Sequence, residues 1–160
     1  MVVLALATIV TTPAARAAKG GAWRIEGILV EQAWARVQPG AMRNGSIYLT
    51  LHNISLTDDL LLAVDSKAAR TTAVHKTQIS NGVARMTPMP FGVDLRAGTE
   101  VILQPGSMHI MLTELSSDIK PGGTLRITMV FREAGTLSAD IPVLAQSDAS
   151  PDISHGGHTP

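Results

Sequence analysis

From Trp23 onward, apolar residues come in short runs that alternate with polar ones and are broken by turn residues about every ten positions, the spacing of an all-β sandwich. Ser46 to Asn53 is the clearest case. Its Ile47, Leu49 and Leu51 alternate with polar or smaller positions, as in a strand with one face buried. Ile25 to Arg36 predicts one or two strands ahead of the Pro39-Gly40 turn. The runs Leu60 to Val64, Thr71 to Ile79, Val83 to Pro88, Thr99 to Gln104, Ser107 to Thr113, Thr124 to Phe131 and Thr136 to Val143 predict the rest. No long window repeats apolar residues at helical spacing, so about nine strands should form one sandwich.

Two local signals fix how some of these strands meet. Asn81-Gly82 suits a two-residue type I′ turn, which pairs Ser80 with Val83, Thr77 with Met86 and His75 with Pro88. Directly opposed residues share a face, so His75 and Met86 become diagonal neighbours on one side of the sheet. In Met108 to Thr113, after the Pro105-Gly106 turn, alternation sends Met108, Ile110 and Leu112 to the core. His109 and Met111 are thereby expected side by side on the outer, exposed face.

Composition narrows the chemistry of that pairing. The 160 residues are 45% hydrophobic, enough for one core and too few for two comfortable domains. Thirteen basic residues balance thirteen acidic ones, which argues against nucleic acid or an anionic membrane surface as partner. The chain has no cysteine, which removes disulfides, thiolate nucleophiles and thiolate metal ligands together. Any metal must then use imidazole, thioether or carboxylate.

His75, Met86, His109 and Met111 combine two imidazoles with two thioethers, an uncharged and partly soft donor set that favours Cu(I) over Zn(II), Ca(II) or Mg(II). Each residue alone has a plainer reading, because methionine fills core gaps and a single histidine is usually a hydrogen-bonded structural residue. The combination carries the expectation. Met89 and Met108 are assigned to packing or a weaker role near the site, Met129 to the core and His52 to structure. Met42, in the loop from Gly40 to Gly45, is a secondary metal candidate. His155 and His158 are further candidates, for Cu(II).

The ends differ in character from the middle. Residues 1–18 read as a secretory signal peptide, a short apolar run ending in Ala15-Arg16-Ala17-Ala18, although no Lys or Arg precedes the run. A buried strand or a lipid-packed anchor is the alternative. Residues 19–145 form the expected copper-binding domain, and 146–160 a polar, His-containing tail. The expected compartment is the periplasm, with no membrane span in the mature chain.

His75, ten intervening residues, Met86, twenty-two more, then His109 and Met111 follow a pattern of known spacing. With Ala33-Trp34-Ala35-Arg36, Tyr48 to Asn53, Asn81-Gly82-Val83 and Leu103 to Leu112, the chain resembles the periplasmic copper chaperone family called PCuAC. That resemblance implies a cupredoxin-like Greek-key β-sandwich or barrel and an exposed Cu(I) site of two His and two Met. It also implies a non-enzymatic carrier delivering copper towards a copper-accepting protein of cytochrome c oxidase assembly. Many members carry another Met just after the first His, where Lys76-Thr77-Gln78 has none. Alternatives are copper storage or resistance, a copper redox protein, and a metal-free binding sandwich. The redox or hydrolytic reading lacks a Gly-x-Ser-x-Gly elbow, and the metal-free one lacks an aromatic platform in a chain with 3% aromatics.

Overall fold

A computed structural model describes residues 21–38 and 43–149. The strands are β1 (Trp23–Ile25), β2 (Ile28–Gln38), β3 (Asn44–Asn53), β4 (Asp59–Asp65), β5 (Ala69–Ser80) and β6 (Val83–Pro88). They continue as β7 (Val93–Leu95), β8 (Glu100–Leu103), β9 (Met108–Leu115), β10 (Thr124–Phe131) and β11 (Gly135–Leu144). Among the described residues there is no helix.

Hydrogen bonding runs β6-β5-β9-β8-β3-β2-β11-β10-β4-β7, with β1 added beside β2 and a direct pairing of β9 with β3. The path does not close. It changes layer where the end of β11, Val143 and Leu144, pairs in parallel with Ala35 and Arg36 of β2. One layer contributes Val30, Ile47, Leu49, Leu51, Ile110 and Leu112, and the other Leu61, Leu125, Ile127, Met129 and Ile141, to a single buried cluster. Met129 is core, as its apolar run requires.

All the expected strands are present, β1 begins two residues ahead of the first expected segment, and β7 has no counterpart in the hydrophobic pattern. It has three residues, too few for a period to register, and it is held by pairing Val93 with Leu61. Gly92 makes that approach possible, because its backbone has φ of 85° and a Cβ there would run into the Leu61 carbonyl. The hairpin forms in the expected register. Asn81 and Gly82 have φ of 50° and 76°, and His75 faces Pro88 while Thr77 faces Met86.

Asp59 joins the β4 end to the β10–β11 turn. Its buried carboxylate accepts backbone N–H bonds from Leu60 at 2.7 Å, Glu133 at 2.9 Å and Ala134 at 3.0 Å. Burial alone would raise its pKa. The three N–H donors and the nearby Arg132 charge outweigh that and hold it below the ordinary 3.8. The folded state therefore binds fewer protons than the unfolded one, so this contribution is complete above the unfolded value and lost as pH falls through the folded value. Asp59→Asn is expected to lower unfolding free energy by about 2 kcal/mol near neutral pH. Denaturant titrations at several pH values should show that deficit shrinking as the wild type acidifies below the carboxylate range.

Candidate metal centre

The β5–β9 pairing sets His75 directly opposite His109, and the two rings stack with centroids 6.1 Å apart. One rung away on the same face, Met111 lies opposite Ala73 of β5 and Ser46 of β3. In the other direction Thr77 lies opposite Met86. The two imidazoles are thus flanked by one thioether on each side, brought in by three adjacent strands. A cleft of about 280 Å³ opens over this face, lined by Met86, His109 and Met111 together with Tyr48, Thr77 and uncharged neighbours.

The four residues differ in exposure. His109 retains 6% of its surface and Met86 58%, with His75 and Met111 half-buried. His109 is therefore not the exposed residue that strand alternation suggested. It does lie on the face opposite Ile110 and Leu112, but that face carries its own packed stripe. Arg36 lies 5.1 Å over the Trp34 ring, Trp34 meets Tyr48 at 4.4 Å, and Tyr48 meets His109 at 6.2 Å between ring centroids. A bulge in β2 between Glu31 and Trp34 sets the register that pairs Trp34 with Tyr48. The Arg36 guanidinium is anchored in turn by donating to the Asp148 carbonyl at 2.5 Å.

Burial lowers the His109 pKa below the ordinary 6.5. A hydrogen bond to the Ser107 backbone opposes the shift, and the neighbouring His75 adds to it. The net direction favours neutral imidazole. His75 Nδ1 lies 3.3 Å from the Ala73 carbonyl, a long hydrogen bond. Donation from Nδ1 leaves the Nε2 lone pair free to bind a metal.

Among the described residues no three His, Asp or Glu side chains converge well enough to hold a metal ion. With no cysteine in the chain, a donor set here needs methionine. Met89 and Met108 pack against the core. His52 sits elsewhere, its Nε2 3.4 Å from Glu31 and its Nδ1 3.6 Å from Glu100. Met42, His155 and His158 lie outside the described residues, as do residues 1–18 of the expected signal peptide. The supporting residues Arg36, Trp34 and Tyr48 carry no metal-ligand signal in the sequence. Their available signal is a bulky aromatic at the outward position between two core residues, Trp34 between Ala33 and Ala35 and Tyr48 between Ile47 and Leu49.

The family described as "Putative lipoprotein LpqE-like" matches residues 28–143. A "putative lipoprotein" of Leifsonia xyli is 26% identical over 125 residues, covering 78% of this chain and 74% of the relative. The copper-bound PCuAC domain from PmoF2 superposes with a TM-score of 0.66 at 22% identity, over 78% of this chain and 97% of that domain. The solution structure of the Cu(I) form of DR1885 from Deinococcus radiodurans gives 0.56 at 26% identity, over 79% and 83%. The cupredoxin-like PCuAC fold expected from the sequence is thus the observed one. The match across β2 to β11 places this chain in the LpqE-like family, on the architecture of the PCuAC domain.

Proposed function

We propose that this protein is an extracytoplasmic Cu(I) carrier that binds one ion through His75, Met86, His109 and Met111 and passes it on without catalysis. The observation that carries the reading is the stacked His75–His109 pair with a methionine on the next rung at either side, His109 and both methionines lining a cleft of uncharged residues. Two imidazoles and two thioethers suit a soft monovalent ion, and a neutral cleft leaves the ion its charge. The depressed His109 pKa acts in the same direction, since a proton and a copper ion compete for one lone pair. The solved relatives include a copper-bound PCuAC domain and a Cu(I)-loaded protein.

The gradient of burial gives the carrier a direction of exchange. His109, enclosed by Tyr48 and His75, is the ligand least accessible to a competitor. Met86, on an exposed edge strand, is the most accessible. An incoming ligand from an acceptor displaces Met86 first, and the ion leaves through the open side of the cleft. Thr77, opposite Met86, offers a hydroxyl where many PCuAC members place a further thioether.

The finer parts of this reading rest on the resemblance and on residue chemistry. Delivery is assigned towards the dinuclear copper centre of cytochrome c oxidase, and export to the periplasm through residues 1–18. Residues 19–145 are assigned as the copper domain. Cu(II) binding by His155 and His158 in the 146–160 tail is assigned from imidazole chemistry alone.

Met86→Ala and Met111→Ala should each weaken Cu(I) binding at least about tenfold in competition with a chromophoric chelator, the loss of one ligand bond costing more than 1.4 kcal/mol. Unchanged affinity in both variants would rule out the assignment. The exposed Met86 variant should keep wild-type stability. Tyr48→Ala, by opening His109 to water, should move its pKa up towards 6.5, read from the imidazole signals in an NMR titration.

A further inference from the structure

The strand that carries Met86 forms the end of its sheet. Among the described residues β6 pairs only with β5, and all six of its residues are exposed. Seven large hydrophobic residues are exposed among the described residues, and four of them, Ile79, Val83, Met86 and Phe91, come from this hairpin and the loop that follows it. Exposed apolar residues concentrated in one hairpin mark an interaction surface.

Charge distinguishes the segment as sharply. From Ala69 to Val93 there are three cations, Arg70, Lys76 and Arg85, and no carboxylate, in a chain whose charges balance overall. Arg70 is paired with Glu114 at 3.2 Å. Lys76 and Arg85 are exposed, and among the described residues neither has an ion-pair partner. The register places Ile79 and Met86 on the face of the metal centre and Lys76, Val83 and Arg85 on the reverse face of the same narrow hairpin. A molecule that clasps the hairpin across the β6 edge therefore meets Met86 and Ile79 on one face and Val83 and the two free cations on the other.

We propose that the β5–β6 hairpin is the docking surface for the protein that exchanges copper with this one, and that this partner presents an apolar patch rimmed by carboxylates. The inference rests on the Cu(I) reading above and adds the chemistry of the partner. Complementary charge speeds encounter and sets orientation, while the exposed hydrophobic residues exclude water from the exchanging ligands. Arg85, next to Met86 on the same edge strand, aligns the partner with the ligand that leaves first.

The test uses the copper-loaded full chain and two synthetic acceptor peptides with one identical Cys/Met Cu(I)-binding loop, flanked either by glutamates or by lysines. Stopped-flow transfer at low ionic strength should be on the order of tenfold faster to the glutamate-flanked peptide, with the difference collapsing in high salt. Lys76→Glu combined with Arg85→Glu should reverse the preference, and Ile79→Ser combined with Val83→Ser should slow transfer to both peptides. Chelator competition should show unchanged Cu(I) affinity in all of these variants. Equal transfer to the two peptides by a protein that binds copper normally would overturn the docking surface alone, and failure of the wild type to bind Cu(I) would overturn both readings. Dimerisation through the hairpin in sedimentation velocity, or capture by phosphatidylglycerol vesicles that the double charge reversal abolishes, would assign the surface to another occupant and overturn the proposal.

Discussion

The antiparallel pairing of β5 with β9 is the constraint on which the candidate centre depends. It places His75 against His109, and the rungs on either side follow without further adjustment, Met111 beside Ala73 and Thr77 beside Met86. A slip of one residue would turn every one of these side chains to the other face. The register is secured from within by Val74, Ile110 and Leu112, which alternate with the site residues and are buried in the shared core. Core packing and site geometry are thus two faces of the same strands.

A second layer rigidifies the outer face. Arg36, Trp34, Tyr48, His109 and His75 lie in sequence across β2, β3, β9 and β5, each ring against the next. This stripe explains how a histidine that points away from the core is nonetheless enclosed. It encloses one imidazole and lowers its pKa while the hairpin holds Met86 in solvent. In the proposed Cu(I) reading, a firm ligand at one end and a loose one at the other suit carrying an ion and surrendering it.

Much of this was legible along the chain because the decisive signals are local. The Asn81-Gly82 turn alone sets the hairpin register, and the alternation in Met108 to Leu112 alone separates His109 and Met111 from Ile110 and Leu112. The burial of His109 was not legible. It depends on which strands lie beside β9 and on the β2 bulge that sets Trp34 against Tyr48, both products of long-range pairing. The short β7 is not legible for a related reason, since it is defined by its neighbour β4 and by the room that Gly92 leaves, and its own composition carries little pattern.

The donor atoms around a loaded copper ion decide the Cu(I) reading. X-ray absorption at the copper edge of the Cu(I)-loaded protein measures them directly, because sulfur and nitrogen scatterers separate by distance and strength. Binding through His75, Met86, His109 and Met111 predicts a first shell with both imidazole nitrogen and thioether sulfur, and loss of part of the sulfur signal in Met86→Ala. A shell of nitrogen and oxygen alone would contradict it.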